Sequence, residues 1–356
     1  MMASRVAGIF LLGFLLAWQA QDASTTATQS QASSRPPLIL LYDCLPDPNA
    51  IARVQSIQAN PYLLIYQGCD PQSFKSGMID SAAVIKEIDK QTGGMPPEWG
   101  MLDFEEPFNS DLQKGIESPK CKRALQTMIA TLQAVKARFP NTKWTYYGVP
   151  FTPYWDNGKN WTNSTSEAKR KMLDGIAAIY SSLVKEEDWV SVSIYPVYKP
   201  ELYKPEERNG IREQGRAWRM VQVGLAKLLA GKNPVIPTVT PYWQPNGLAN
   251  DWTILSNDQF IQDVVQPAIK AGARGIAIWT AANSLIAQLT QDSIPMTAAT
   301  SRQKFREAFA LNYFSNQMPP SWSDPKIKEQ LEVKISRTIT DSLLNIRASE
   351  QLGSNP

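Results

Sequence analysis

Residues 98–108 read Glu-Trp-Gly-Met-Leu-Asp-Phe-Glu-Glu-Pro-Phe. The stretch has the look of a buried β-strand, Glu98 to Glu105, that ends in acid. Side chains alternate faces along a strand, so Asp103 and Glu105 point one way and Phe104 the other. Two carboxylates side by side in a partly dry pocket do not both ionise easily. One of them is expected to hold its proton near neutral pH, as a general acid for glycosidic-bond cleavage must. The same three residues also fit a solvated acidic turn, and the motif alone is too short to separate the two.

Working outward, apolar strand-like runs alternate with longer amphipathic stretches. The runs are Leu38–Tyr42, Tyr62–Tyr66, Glu98–Glu105, Lys143–Pro150, Trp189–Tyr195, Val235–Thr240 and Gly275–Trp279. Helical stretches are expected at Cys121–Phe139, Ser166–Lys185, Ile211–Leu229 and Asp258–Ala271. In the first of these Ala124, Met128, Leu132 and Val135 recur at three- and four-residue spacing. Strand-helix alternation of this length predicts an α/β fold with a parallel sheet, either closed as a TIM-like (β/α) barrel or open and doubly wound. No glycine-rich phosphate loop follows the first run, which disfavours the nucleotide-binding open sheet.

A barrel would place its site at the carboxyl ends of the strands. Those ends carry Asp43-Cys44, Gln67, Asp103-Phe104-Glu105, Tyr146-Tyr147, Tyr195, Tyr242-Trp243 and Trp279. Tyr146, Tyr147, Tyr195, Trp243 and Trp279 are therefore candidates for stacking on sugar rings around the carboxylates Asp103 and Glu105. Trp144, Trp189 and Trp252 read as core residues, and Glu106 as a solvated edge residue.

Composition narrows the chemistry. The chain has no histidine. That excludes Ser-His-Asp and Cys-His nucleophile systems and any His-ligated metal. Three cysteines, none in a C-x-x-C pair, do not make a four-thiolate zinc site. Neither a metal nor a cofactor is expected. The net charge of +3 comes from scattered rather than clustered basic residues, so nucleic acid is not indicated as a partner.

The amino terminus has the form of a secretory signal over residues 1–23. Its apolar stretch, Val6 to Trp18, is too short for a stable membrane span. Residues 24–37, rich in Ser, Thr, Gln and Ala before Pro36-Pro37, read as a disordered leader. A secreted, extracellular or periplasmic protein is expected. Asn160 and Asn163 begin glycosylation sequons. After the barrel, taken as residues 38–315, residues 316–356 form an amphipathic helix and tail, with Ile327, Leu331, Ile335, Ile339, Leu343 and Ile346 in helical register.

Four segments together resemble one enzyme family. Trp144-Thr-Tyr-Tyr147-Gly-Val-Pro150, Asp103-Phe104-Glu105, Ser193-Ile194-Tyr195, and Leu255-Ser256 through Gly272-Ala-Arg-Gly275-Ile-Ala-Ile-Trp279 resemble, in order and spacing, motifs of the hyaluronidases. The resemblance implies a distorted seven-stranded barrel and an endo-β-N-acetylhexosaminidase acting on hyaluronan- or chondroitin-like polymers. It also implies retention of configuration, with the substrate's own acetamido group as nucleophile. Carried over by position, Glu105 would be the acid and base and Asp103 would orient the acetamido group. Tyr195 would hydrogen-bond that group, while Tyr147 and Trp279 would wall the subsite. The chain departs from the family in following its acids directly with Glu106-Pro107-Phe108, where a Trp-Arg-Pro is usual after one residue. Cys44 and Cys69, at the ends of the first two runs, could form a bridge, which would leave Cys121 odd.

Two alternatives stay open: a chitinase-like endo-β-N-acetylglucosaminidase, and a non-catalytic glycan-binding barrel. The chitinase pattern calls for two further aspartates upstream on the same strand, where this chain has Trp99 and Met101.

Overall fold

The structure, a computed structural model, describes residues 38–42, 60–150, 164–197, 199–240, 255 and 259–279. The signal and leader, Asp43-Cys44, the two sequons, Tyr242-Trp243, Trp252 and the carboxyl-terminal helix lie outside the described residues.

Six parallel strands form one sheet: β1 (Leu38–Tyr42), β2 (Asn60–Tyr66), β3 (Trp99–Asp103), β4 (Lys143–Tyr146), β5 (Thr238–Val239) and β6 (Gly275–Ile278). Their order is β4-β3-β2-β1-β6-β5. Parallel neighbours need long crossovers, and from β2 onward helices supply them among the described residues. They are α1 (Ser81–Thr92), α2 (Pro119–Arg138), α3 (Ser166–Glu186), α4 (Arg208–Ala230) and α5 (Gln266–Lys270). A π-helical turn, Phe260–Val265, leads into α5. The caps explain several boundaries. Asp80 accepts the amides of Ala82 and Ala83 to start α1, and Gly93 ends it with φ near 62°. Thr165 accepts the Ala168 amide to start α3. None of the described helices is long and apolar enough to cross a membrane.

The two faces of the sheet are both apolar but packed differently. Ile65, Leu102, Trp144, Ile276 and Ile278 join Val84 and Ile88 of α1, Met128 and Leu132 of α2, and Trp218 of α4 in one core. Leu40, Tyr62, Leu64, Trp99, Met101, Trp189, Ile236 and Ala277 form a second core, with no helix residue in it among the described residues. This second face packs on itself. Trp99 meets Trp189 edge to face at 5.8 Å, and the Tyr62 hydroxyl donates across β1 to the Ile278 carbonyl at 3.4 Å. Gly100 faces the helices and leaves room for Trp144, since a Cβ there would lie 2.4 Å from the indole ring.

Trp189–Tyr195, expected as a full strand, is joined to its neighbours only by isolated bridges: Tyr147↔Ser191, Val190↔Val235 and Ser193↔Thr238. Among the described residues the sheet thus has six strands rather than seven. Carboxylates account for the gap beside β4. Asp188 accepts the Trp144 amide at 2.9 Å, and Glu187 accepts the amide of Tyr146 at 2.9 Å and the Thr145 hydroxyl at 3.2 Å. Side chains thereby take donors that a strand's carbonyls would otherwise receive.

Glu187 is fully buried, and burial raises its carboxyl well above the ordinary range. Below the ordinary value of about 4.5 the folded and unfolded chains both hold this proton. Above it the unfolded chain releases the proton while the folded one keeps it, so stability falls as pH rises toward the folded pKa. Glu187→Gln mimics the protonated form and removes that loss. In thermal melts the variant should match the wild type near pH 4 and gain on it as pH rises, by up to about 1.4 kcal/mol per pH unit. A difference that does not change with pH would refute the assignment.

Candidate active site

In a parallel sheet every strand delivers its carboxyl end to the same edge. Alternation then puts one side chain per strand end on the face not covered by helices. At that edge β2 ends in Tyr66, β3 in Asp103, β4 runs into Tyr147, the bridged segment reaches Ser193 and Tyr195, and β6 runs into Trp279. Deeper on the same face apolar residues surround two buried polar pairs, Thr145 with Glu187 and Ser191 with Thr238.

The aromatics form a continuous row. Trp279 stacks on Tyr195 with ring centroids 6.0 Å apart and planes 14° from parallel. Tyr195 meets Tyr147 at 6.0 Å, whose hydroxyl donates to Ser193 Oγ at 3.1 Å. At the other end the indole N–H of Trp279 donates to the Tyr66 hydroxyl at 2.7 Å. Asp103 belongs to the strand between the two that carry the ends of this row. It pairs in register with Tyr66, and the Tyr147 amide donates to the carbonyl of the preceding Leu102.

The two carboxylates differ in environment. Asp103 is partly buried, and its Oδ1 is closed off from solvent. Glu105 lies beyond the end of β3 and is exposed. The expected dry pocket therefore covers Asp103 and not Glu105, because the sheet ladder stops at Asp103. Phe104 turns inward, 2% exposed, against Phe108 and Tyr146. Gln67 holds the backbone here, accepting the Glu105 amide at 3.2 Å and donating to the Glu106 carbonyl at 2.6 Å.

Tyr146 is not at the edge, contrary to its reading as a stacking residue. It is fully buried on the helix side, and its hydroxyl donates to the Met128 carbonyl of α2 at 3.0 Å. One position along a strand exchanges faces, so Tyr147 reaches the edge and Tyr146 cannot. Trp144 and Trp189 are buried in the two cores. Trp99 and Met101 are buried as well, so no acid stands upstream of Asp103 on β3. Cys69 is a free, partly buried thiol pushed up to about 11 by burial, and Cys121 is free and buried.

Sequence reasoning passed over the support behind Tyr195. Arg219 of α4, fully buried, donates to the Ile194 carbonyl at 3.1 Å and to the Asp263 carbonyl at 3.0 Å. The Asp263 carboxylate, 3% exposed, accepts from Arg216 at 2.8 Å. Burial lowers the Arg219 pKa to about 10, which still leaves it charged at neutral pH. The available signal was Arg212, Arg216 and Arg219 at helical spacing on one face of α4, with a lone acid in the apolar run Phe260–Val265.

The residues at the edge define a parallel α/β protein with a carboxylate pair beside an aromatic wall. No protein-family model matches the chain, and no curated protein matches it. Among solved structures it is similar to bee venom hyaluronidase in complex with a hyaluronic acid tetramer, at 16% identity and a TM-score of 0.43 over 70% of this chain and 84% of that one. It is also similar to a GH18 chitinase from Pseudoalteromonas aurantia, at 14% identity and a TM-score of 0.36 over 66% and 76% of the two chains. A third is an endo-1,4-beta-D-mannanase from Thermotoga petrophila, at 13% identity and a TM-score of 0.38 over 65% and 66%. At TM-scores below 0.5 these likenesses bear on neither family nor substrate.

Proposed function

We propose that this chain is a secreted glycoside hydrolase of the hyaluronidase type, cleaving β-linked N-acetylhexosamine polymers. The observation that carries the reading is Asp103 on the strand between Tyr66 and Tyr147, the two ends of the row Tyr147–Tyr195–Trp279–Tyr66, with Glu105 just beyond it. Stacked aromatic faces suit sugar rings, and a carboxylate pair suits acid-base cleavage of the bond between them. Trp189–Tyr195 is the seventh stave of a distorted barrel in this reading, bridged on one side to Tyr147 and on the other to Val235 and Thr238.

In the reaction, a sugar lies against the aromatic row with its acetamido group toward Asp103. The acetamido carbonyl oxygen attacks the anomeric carbon as Glu105 gives its proton to the departing glycosidic oxygen. Asp103 accepts the acetamido N–H and balances the positive charge that grows on the cyclised group. Glu105, now a carboxylate, takes a proton from water, which opens the ring and restores the acetamido group with retained configuration. Glu105 is exposed without substrate, so in this mechanism the bound polymer itself excludes water from it and raises its proton affinity.

The test is to incubate the purified protein with hyaluronan, chondroitin and chitin oligosaccharides and follow reducing ends and product masses. Even-numbered fragments with N-acetylhexosamine at the new reducing end are expected. Chitin cleavage alone would keep the mechanism and change the substrate. Binding without cleavage of any polymer would make the chain a glycan-binding protein and refute the enzymatic reading.

Asp103→Asn keeps the size of the side chain but loses the charge that balances the cyclised acetamido. Turnover should fall by about 10²-fold or more, with little change in KM. A variant within threefold of wild type would remove Asp103 from the mechanism.

A further inference from the structure

We infer that Gln67 is the positioning residue for Glu105, a role that rests on the acid-base function proposed above. β2 and β3 pair in register as far as Tyr66↔Asp103, and there the ladder ends because Gln67–Cys69 turns into a 3₁₀ helix. From this point the backbone of residues 104–106 has no strand beside it on the β2 side. The Gln67 side chain takes the strand's place. Its Oε1 accepts the Glu105 amide at 3.2 Å, and its Nε2 donates to the Glu106 carbonyl at 2.6 Å. The second Nε2 hydrogen goes to Ser73 Oγ at 2.9 Å, and Ser73 in turn donates to the Asp70 carbonyl at 2.8 Å. Gln67 and Ser73 are both buried. The Glu105 carbonyl accepts the Asn109 amide at 2.7 Å, so both backbone groups of Glu105 are held.

The chemistry selects glutamine. An amide N–H needs an acceptor and a carbonyl needs a donor, and one side-chain amide offers both at this spacing. A carboxylate would offer two acceptors and repel the Glu106 carbonyl. A hydrocarbon would leave both backbone groups unsatisfied. Following Tyr66 on β2, Gln67 lies on the helix side of the sheet, so it acts on the position of Glu105 without touching a sugar. A shift of about 1 Å in a reacting group can cost about 10²-fold in rate.

The experiment compares wild type, Gln67→Glu and Gln67→Leu on the polymer the wild type cleaves, between pH 4 and pH 9, with hydrogen exchange of the Glu105 amide measured in parallel. Gln67→Leu should lose about 10- to 100-fold in kcat at every pH, with KM within threefold, and its Glu105 amide should exchange fast while the amides of β2 stay protected. Gln67→Glu should approach wild-type kcat at the acid end, where its protonated carboxyl can still donate to the Glu106 carbonyl. Its kcat relative to wild type should then fall at least tenfold as the pH rises. A residue that only stabilises the fold would not give a kcat ratio that recovers with acid. Should Gln67→Leu fail to fold, the Gln67→Glu profile and exchange decide alone. Wild-type kcat in Gln67→Glu at all pH values, or a Glu105 amide unprotected in the wild type, would overturn the inference. A wild type that cleaves nothing would instead overturn the proposed function and the positioning role with it, whereas a protected Glu105 amide would still establish the clamp.

Discussion

Glu105→Gln should reduce turnover by at least about 10³-fold while leaving thermal stability and polymer binding close to wild type. The variant amide keeps the shape of the side chain but has no proton to give to a departing oxygen and no charge with which to activate water. Both steps of the proposed reaction therefore lose their catalyst, and a positioned acid or base alone contributes about 10²- to 10⁴-fold. Stability should change little, because the side chain is exposed and the amide keeps its size. The backbone contacts to Gln67 and Asn109 use main-chain atoms that the substitution leaves in place. The measurement is kcat and KM on the polymer that the wild type cleaves, beside a melting curve. Activity within tenfold of wild type would remove Glu105 from the role.

Gly275→Ala should be the most damaging small substitution in the described fold, destabilising it by about 3 kcal/mol or more. An added Cβ would stand 1.9 Å from the Leu38 carbonyl oxygen, 2.7 Å from its carbon and 2.8 Å from its nitrogen. These are backbone atoms of β1, so no side chain can swing aside. β1 is held on this side by the register Leu38↔Gly275, Ile39↔Ile276 and Leu40↔Ala277, and the Leu38 amide donates to the Arg274 carbonyl. Relief requires the two strands to part where they join the halves of the sheet. Overpacking in a rigid core costs about 1–3 kcal/mol where side chains can adjust, and here they cannot. Trp279, at the end of the same strand, should be displaced, so residual activity should fall with stability. A melting temperature within about 2 °C of wild type would show that the strands can yield.

Much of the architecture was legible along the chain because its signals are local. Helical spacing in Cys121–Phe139, Ser166–Lys185 and Ile211–Leu229 corresponds to α2, α3 and α4, each within three residues at either end. The run Leu38–Tyr42 is β1, and Gly275–Trp279 contains β6. Asp103-Phe104-Glu105 marked a candidate site because acids at the end of an apolar strand have no packing use. α1 went unnamed, its amphipathic pattern resting on little more than Val84 and Ile88. The inclusion of Tyr146 beside Tyr147 has a deeper cause. Both faces of this sheet are apolar, so periodicity shows that residues alternate but not which set meets the helices.

The amino-acid sequence by itself determined the α/β class, the crossovers and the chemistry on offer: carboxylates and aromatic rings without a single histidine. Those depend on residue type and on spacing within one segment. The tertiary structure alone decided that Tyr66 joins Asp103, Tyr147, Tyr195 and Trp279 at that edge while Tyr146 does not, that Glu187 and Asp188 stand in for strand carbonyls, and that Gln67 and Arg219 stand behind it. Each of these joins residues far apart in the chain, and their partners are set by strand register and by which face of the sheet a residue occupies.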